Sequence, residues 1–484
     1  MDNKYEIVIG LEIHAQLKTA SKIFCGCSTK FGDTPNTNIC PVCTGQPGVL
    51  PVLNKKVIEY GIKTALALNC KINKQSVFAR KQYFYPDLPK DYQISQYDMP
   101  LAEHGQIEIE SEGKKTKIGI TRVHLEEDAG KLVHLGSDRL HGSEASLVDL
   151  NRTGTPLMEI VTEPDIRSAE EAKVFMQELR NLVVALGVCD GNMEEGSLRC
   201  DANVSIRPIG QKEFGTKTEV KNMNSFKMVQ KALEAEIERQ TQALENGERI
   251  IQESRLFDEK TGLTHSMRSK EEAHDYRYFP EPDLVPVEPS HEWIEEIRKT
   301  ISELPQQMRQ RYIDNFKMQK EEAQVFIDNA DLAAFFEECI KLYNKEAKNI
   351  YKWILGDLQA YLKEKKTDIK ATEFKPAELI NLVEAIDQGT ISGKIAKSVL
   401  AKAVETGKTV PEIIKESGST QISDEGELVK IIQEIISKNK TQVEQFKSGK
   451  TQVLGFFVGQ IMKATKGRAN PQLVNDLLQK ELSK

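Results

Sequence analysis

The chain has 484 residues, with 66 Lys or Arg against 73 Asp or Glu and 39% apolar side chains. That length exceeds what a single hydrophobic core serves, so two or three domains are expected. A formal net charge of −7 excludes a globally basic nucleic-acid coat; any contact with nucleic acid must come from a local patch.

Residues 1–5 lack the basic-then-apolar layout of a signal peptide, and no apolar run approaches membrane-spanning length. A cytoplasmic protein with no membrane partner is expected. Residues 6–16 read as the first strand. With side chains alternating, Ile7, Ile9, Leu11 and Ile13 share one face and Glu12, His14 and Gln16 the other. Ionisable groups on a strand face are costly to bury unless they hold a cation or one another.

Four of the eight cysteines follow at once, as Cys25-Gly26-Cys27 and, twelve residues on, Cys40-Pro41-Val42-Cys43. Two close pairs suit a tetrahedral four-thiolate zinc site, and four sulfurs leave no open coordination position. The expected Zn2+ is therefore structural, stapling the turn after the Glu12/His14 strand. The other cysteines are scattered, which fits a reducing compartment better than a disulfide framework.

Residues 80–93 interleave Arg80, Lys81 and Lys90 with Tyr83, Phe84, Tyr85 and Tyr92 around two prolines. The composition fits a loop that stacks on bases and meets phosphate, and equally a rigid packed loop. A second strand, residues 118–125, runs into Glu126-Glu127-Asp128. Alternation groups His124 with Glu126 and Asp128, and Leu125 with Glu127, although a bulge here would change the grouping. Such a carboxylate cluster suits magnesium, which prefers oxygen ligands.

A helix is expected from Ser168, with Glu171 completing a capping box, to Gly187. Another runs from Ser225 to the Asn246-Gly247 turn. Further acids and cations at residues 194–201 and 219–222 read, taken alone, as solvated surface. A proline-rich stretch, residues 278–289, closes the β-rich region, and helix formers dominate from Trp293. The expected fold class is α+β and multi-domain: a β-rich domain over 1–293, an all-α domain over 294–408, and a small all-α tail over 409–484. Between residues 440 and 470 the tail carries Lys440, Lys447, Lys450, Lys463, Lys466 and Arg468 against Glu444. Gly407-Lys408-Thr409 and Gly449-Lys450-Thr451 lack the upstream glycine of a phosphate loop, and no dinucleotide fingerprint is present. Any ATP site is of an unusual type.

The run Val148-Asp149-Leu150-Asn151-Arg152-Thr153-Gly154-Thr155-Pro156-Leu157-Met158-Glu159-Ile160-Val161 resembles the signature of one family, the GatB-type subunits of the glutamine-dependent aspartyl/glutamyl-tRNA(Asn/Gln) amidotransferase. Gly10-Leu11-Glu12-Ile13-His14, Tyr83-Phe84-Tyr85-Pro86-Asp87, residues 124–131 and 193–203, Asp275-Tyr276-Arg277-Tyr278-Phe279-Pro280 and the tail's residues 455–463 are similar to the same family. The resemblance spans essentially the whole chain. It implies a cradle-shaped N-terminal domain, a helical domain and a helical tail that holds tRNA. It also implies an ATP- and magnesium-dependent carbon–nitrogen ligase with glutamine as amide donor. The side-chain carboxylate of glutamate or aspartate mischarged on tRNA(Gln) or tRNA(Asn) would be phosphorylated, then amidated with ammonia. An amidase partner (the GatA-type subunit) would release that ammonia, and a small GatC-type subunit would complete a heterotrimer. By this resemblance Glu12, His14, Glu127, Asp201 and Glu219 are the metal-site residues, with Glu126 as the alternative to Glu127, and Lys90 lines the ammonia path. The competing reading is a non-catalytic, zinc-stapled tRNA-binding scaffold, which the missing phosphate loop motivates.

Overall fold

In the computed structural model, which describes residues 4–135, 145–269, 275–417, 425–447, 452–465, 469 and 471–482, strands and helices divide between two units, Met1–Pro305 and Gln306–Lys484. The first unit holds β1 (Tyr5–Gln16), β2 (Lys71–Ile72), β3 (Phe78–Gln82), β4 (Tyr92–Gln96), β5 (Ala102–Ser111), β6 (Lys114–Glu127), β7 (Lys131–Leu135), β8 (Ala145–Asp149), β9 (Pro156–Thr162), β10 (Leu198–Pro208), β11 (Thr218–Met223), β12 (Glu253–Asp258), β13 (Leu263–Ser269) and β14 (Phe279–Pro280). Its helices are α1 (Lys55–Ala67), α2 (Ala169–Ala185), α3 (Phe226–Glu245) and α4 (His291–Lys299).

Among the described residues, one mixed sheet of twelve strands runs β13-β12-β11-β10-β1-β9-β6-β4-β3-β14, with β5 on β6 and β2 on β5. β7 and β8 pair separately. β1 is central, antiparallel to both β9 and β10. Its alternation decides which face goes inward: Ile9, Leu11, Ile13 and Ala15 are buried in the core with Phe175, Met176 and Leu179 of α2 and Val229 and Leu233 of α3. Each fully buried Ile or Leu contributes roughly 1.5–3 kcal/mol. The helices thus cover the apolar face and leave the polar face of β1 to line a cavity.

The helix termini follow local chemistry. Ser168 Oγ accepts from Glu171 N (3.0 Å), and the Glu171 carboxylate accepts from Arg167 N (2.8 Å), one residue earlier than in a standard capping box. Gly187, at φ +69°, takes the left-handed position that ends α2. Ser225 caps α3 in the same way, accepting from Met228 N. On α3 the fully buried Glu236 accepts from Thr218 (2.8 Å), Thr264 (2.7 Å), Gln240 (3.0 Å) and Arg239 (2.5 Å), with Arg255 3.2 Å away. These partners compensate a charge that burial alone would make untenable.

The second unit is helical: α5 (Pro305–Phe316), α6 (Lys320–Asp328), α7 (Ala330–Leu342), α8 (Ala347–Trp353), α9 (Gln359–Lys365), α10 (Pro376–Asp387), α11 (Gly393–Thr406), α12 (Val410–Ser417), α13 (Glu425–Lys438), α14 (Lys440–Lys447), α15 (Val453–Ala464) and α16 (Pro471–Leu482). One core gathers Tyr312, Phe326, Leu332, Phe336, Tyr351, Ile354 and Leu358 and extends to Val410, Ile413 and Ile414 of α12. A separate core joins Leu428, Ile432, Phe457, Ile461, Val474 and Leu478. Lys450, Lys466 and Arg468 lie outside the described residues. Among those described, no helix is long and apolar enough to cross a membrane.

Candidate active site

Sheet register gathers the ionisable residues into rows. His124 of β6 pairs with Glu159 of β9, Glu159 with His14 of β1, and His14 with Arg199 of β10. One step along, Glu12 pairs with Asp201. Because side chains alternate, these rows share the face that helices do not cover. They line a cavity of about 470 Å³ together with Arg122, Glu126, Asp128, Glu219, Lys221 and a group of tyrosines.

At the centre, His14 Nε2 lies 3.2 Å from Glu159 and 3.9 Å from Glu126, while His124 Nε2 lies 3.4 Å from Glu159 and 3.8 Å from Glu126. Ser95 donates to Glu126 (2.9 Å), and Arg122 Nε lies 3.3 Å from His124 Nδ1; burial opposes charge on His124, but the Glu159 and Glu126 carboxylates push its pKa up to about 9. Burial opposes charge on His14, but its bond to Glu159 and the two carboxylates outweigh that and raise its pKa. Burial likewise opposes charge on Glu126 and Glu159, yet the imidazoles hold both below the ordinary carboxylate range. Ligand atoms of His14, Glu126 and Glu159 all lie within 4.8 Å of one another. One imidazole and two carboxylates that stay ionised can hold a cation, with room in the cavity for phosphate oxygens and water.

The neighbouring row already holds a positive charge. Lys221 Nζ lies 2.6 Å from Asp201 and 3.1 Å from Glu219, and Glu12 accepts from Asn203 (3.0 Å). A bulge at Asp201, where Lys221 and Asn222 of β11 oppose one residue of β10, brings this lysine to the acids. Desolvation disfavours its charge, but the Asp201 and Glu219 carboxylates raise its pKa well above the ordinary value. Asp128, buried just past β6, accepts from Gln16 (2.7 Å) and Arg199 (3.0 Å), with Arg152 3.6 Å away. Burial raises its pKa, and the two guanidinium charges pull it below the usual range. Asp128 therefore anchors two arginines at the cavity edge.

Glu127 and Lys90 do not join this group. The Glu127 carboxylate accepts from Lys90 Nζ and Ile94 N and lines a separate cavity of about 120 Å³ with Phe24, Cys25, Cys43 and Tyr92. The cysteine knuckle thus lies beside the Lys90–Glu127 pair. The sulfurs of Cys25, Cys27, Cys40 and Cys43 are all within 4.8 Å of one another and can hold a metal; a zinc tetrahedron with bonds of about 2.3 Å has edges of about 3.8 Å. The Cys43 thiol is pushed down to about 4, first by its hydrogen bond with Cys25 and also by the Lys22 ammonium, so one thiolate is already present. Lys22 is fully buried, with its Nζ 3.5 Å from Cys43 Sγ and 2.8 Å from the Asn38 carbonyl oxygen.

The GatB/GatE catalytic domain model matches residues 7–295, and the GatB domain model matches residues 334–482. The chain belongs to the GatB family. Proteins named as the B subunits of aspartyl/glutamyl-tRNA(Asn/Gln) amidotransferase are similar to it over nearly their whole length. The one from Thermodesulfovibrio yellowstonii is 57% identical over 479 residues, covering 99% of each chain. That from Rippkaea orientalis is 57% identical over 485 residues, covering 99% of this chain and 98% of its own. That from Persephonella marina is 53% identical over 479 residues, covering 99% and 100%. Every residue of the GatB-family cavity described above lies inside the matched catalytic domain. Sequence reasoning on its own did not single out Glu159, Arg199, Lys221 or Tyr278 as site residues. Glu159 is the one acid in an otherwise apolar run, with Leu157 and Val161 on its own strand face, so no local pattern marks it and only the sheet order brings it between two histidines.

Proposed function

We propose that this chain is the tRNA-dependent kinase and transamidation component of a glutamine-dependent amidotransferase, acting in the cytoplasm on Glu-tRNA(Gln), Asp-tRNA(Asn) or both. The observation that carries this reading is the His14–Glu126–Glu159 cluster inside a family-matched catalytic domain. A scaffold without catalysis gives no account of two carboxylates and two imidazoles gathered at 3.2–3.9 Å.

The chemistry needs such a site. A carboxylate is a poor acyl donor because oxide would have to leave. Attack by its oxygen on the γ-phosphorus of ATP releases ADP and gives an acyl-phosphate, from which ammonia then displaces phosphate. On this reading His14, Glu126 and Glu159 hold Mg2+, with Glu12, Asp201 and Glu219 lining the adjoining row. The bound ion supplies charge neutralisation of the phosphates and polarisation of the transferring group. His124 and Ser95 fix the two carboxylates. Arg122, Arg199 and Lys221 supply fixed positive charge where negative charge gathers on the phosphoryl oxygens. Lys90 and Glu127 form a polar pair on the ammonia route, where free ammonia is kept from protonation by bulk water. The four cysteines hold structural Zn2+ with no part in the reaction. The GatA-type amidase and the small GatC-type protein are the partners. Residues 1–293 form the kinase and transamidation domain, 294–408 a helical domain on which α12 packs, and the remainder of the 409–484 tail binds tRNA.

The test is amidation by the reconstituted complex with ATP, magnesium and glutamine, run in parallel on Glu-tRNA(Gln) and Asp-tRNA(Asn). Amide on at least one is expected. Amide on neither removes the reading.

A further inference from the structure

The wall above the cation cluster differs from its floor. The floor is carboxylate, imidazole, guanidinium and ammonium, whereas the wall is built from Tyr83, Tyr97, Tyr276 and Tyr278. Three of these rings are engaged by the protein itself. Tyr83 donates its hydroxyl to Gln93 (3.3 Å) and meets Tyr276 edge-on, and Tyr276 meets Tyr278 edge-on at 6.0 Å. Lys81 Nζ sits 5.0 Å above the Tyr276 ring. Tyr278 lies flat against Tyr97, with centroids 4.1 Å apart and planes 7° from parallel.

Tyr97 is the exception. One face is covered by Tyr278, yet 52% of the residue is exposed, leaving the other face open to the cavity. A preformed parallel pair with one free face is a surface on which a third flat ring continues the stack. Its position is fixed relative to the cation cluster. Ser95, two residues earlier, bonds Glu126, and Gln96 is buried and accepts from Leu125 N (3.1 Å). At about 3.4 Å per residue the platform begins about 7 Å along the chain from Ser95, whose hydroxyl holds the Glu126 carboxylate of the cluster, an interval that ribose and phosphate span. Lys81 lines the same cavity, with its ammonium over the Tyr276 ring, and supplies a cation for the anionic part of such a molecule.

We propose that the open face of Tyr97, backed by Tyr278, is the stacking platform for an adenine ring whose phosphate or ester end reaches the His14–Glu126–Glu159 cluster. This rests on the phosphoryl-transfer reading above. Two substrates of that reaction bring an adenine: ATP and the terminal adenosine of aminoacyl-tRNA.

Tyr97→Ala and Tyr97→Phe are compared with wild type in the reconstituted complex. The KM for ATP is measured at saturating aminoacyl-tRNA, and the KM for aminoacyl-tRNA at saturating ATP. Losing one base–aromatic stack raises one of the two KM values about tenfold or more, with the phenylalanine variant restoring it. A rise confined to ATP assigns the platform to the nucleotide, and a rise confined to aminoacyl-tRNA assigns it to the terminal adenosine. Both KM values unchanged, both raised together, or a loss of kcat alone overturns the platform and makes Tyr97 a cavity wall. A rise that Tyr97→Phe fails to restore overturns it as well. Wild type without tRNA-dependent ADP formation would instead remove the underlying reading.

Discussion

Glu126 and Glu127 are neighbours at the end of β6 whose carboxylates enter different cavities. Glu126 accepts from Ser95 and faces His14 at 3.9 Å, whereas Glu127 accepts from Lys90 and from Ile94 N beside the cysteine knuckle. The β6–β9 register runs unbroken through both residues, so the alternation of the strand alone sends them to opposite faces. One peptide step separates the cation cluster from an ammonium–carboxylate pair.

Glu127→Gln should therefore leave the magnesium dependence of ATP turnover unchanged while destabilising the protein. Lys90 would keep its buried position with no counter-charge, at a cost of about 3 kcal/mol. A magnesium titration of ADP formation, beside a denaturation curve, checks both parts. A shifted magnesium requirement would put Glu127 back among the metal ligands.

Lys22 is the next test. Four zinc-bound thiolates carry net negative charge, and the buried Lys22 ammonium 3.5 Å from Cys43 Sγ is placed to offset it. Lys22→Met is expected to weaken metal retention about tenfold, as loss of an outer-shell partner does. Zinc release to a chelating dye measures this. Release at the wild-type rate would show that Lys22 has no part in holding the ion.

Glu236 supplies a pH signature well away from the cation cluster. Burial opposes its charge, but hydrogen bonds from Arg239, Gln240 and Thr264 hold its pKa below the ordinary value. Its contribution is present above the unfolded pKa of about 4.3 and is lost as pH falls through the lower folded value. Near neutral pH, Glu236→Gln should cost about 3 kcal/mol, and urea curves taken at decreasing pH should show that gap closing. A gap independent of pH would mean that the carboxylate charge contributes nothing.

Because Val410, Ile413 and Ile414 pack in the larger helical core, the informative truncation begins after Ser417. Removing residues 418–484 should weaken tRNA binding, with the wild-type affinity falling as salt rises, while circular dichroism reports the remaining helices intact. Equal tRNA affinity before and after truncation would leave the tail as a solvated helical bundle.

Much of this was legible in local patterns. The polar face of β1 and the grouping of Glu126 with His124 follow from periodicity, and the helix starts at Ser168 and Ser225 from local sequence signals. The sequence resemblance pointed to Asp201 and Glu219, although their immediate surroundings suggested only solvated surface. What periodicity does not carry is sheet order. β9 lies between β1 and β6, so Glu159 reaches both histidines across long stretches of chain. Lys221 reaches Asp201 only through a bulge, and Tyr97 meets Tyr278 from segments about as far apart as β4 and β14. Each of these is a long-range contact that no short window of sequence contains.

The central claim is that the His14–Glu126–Glu159 cluster performs the ATP-dependent step, and its most direct test is ADP formation by a reconstituted complex carrying Glu126→Gln. With mischarged tRNA, magnesium and glutamine present, ADP formation should fall at least about a hundredfold, while glutamine hydrolysis by the amidase partner stays measurable. ADP formation at the wild-type rate would contradict the account.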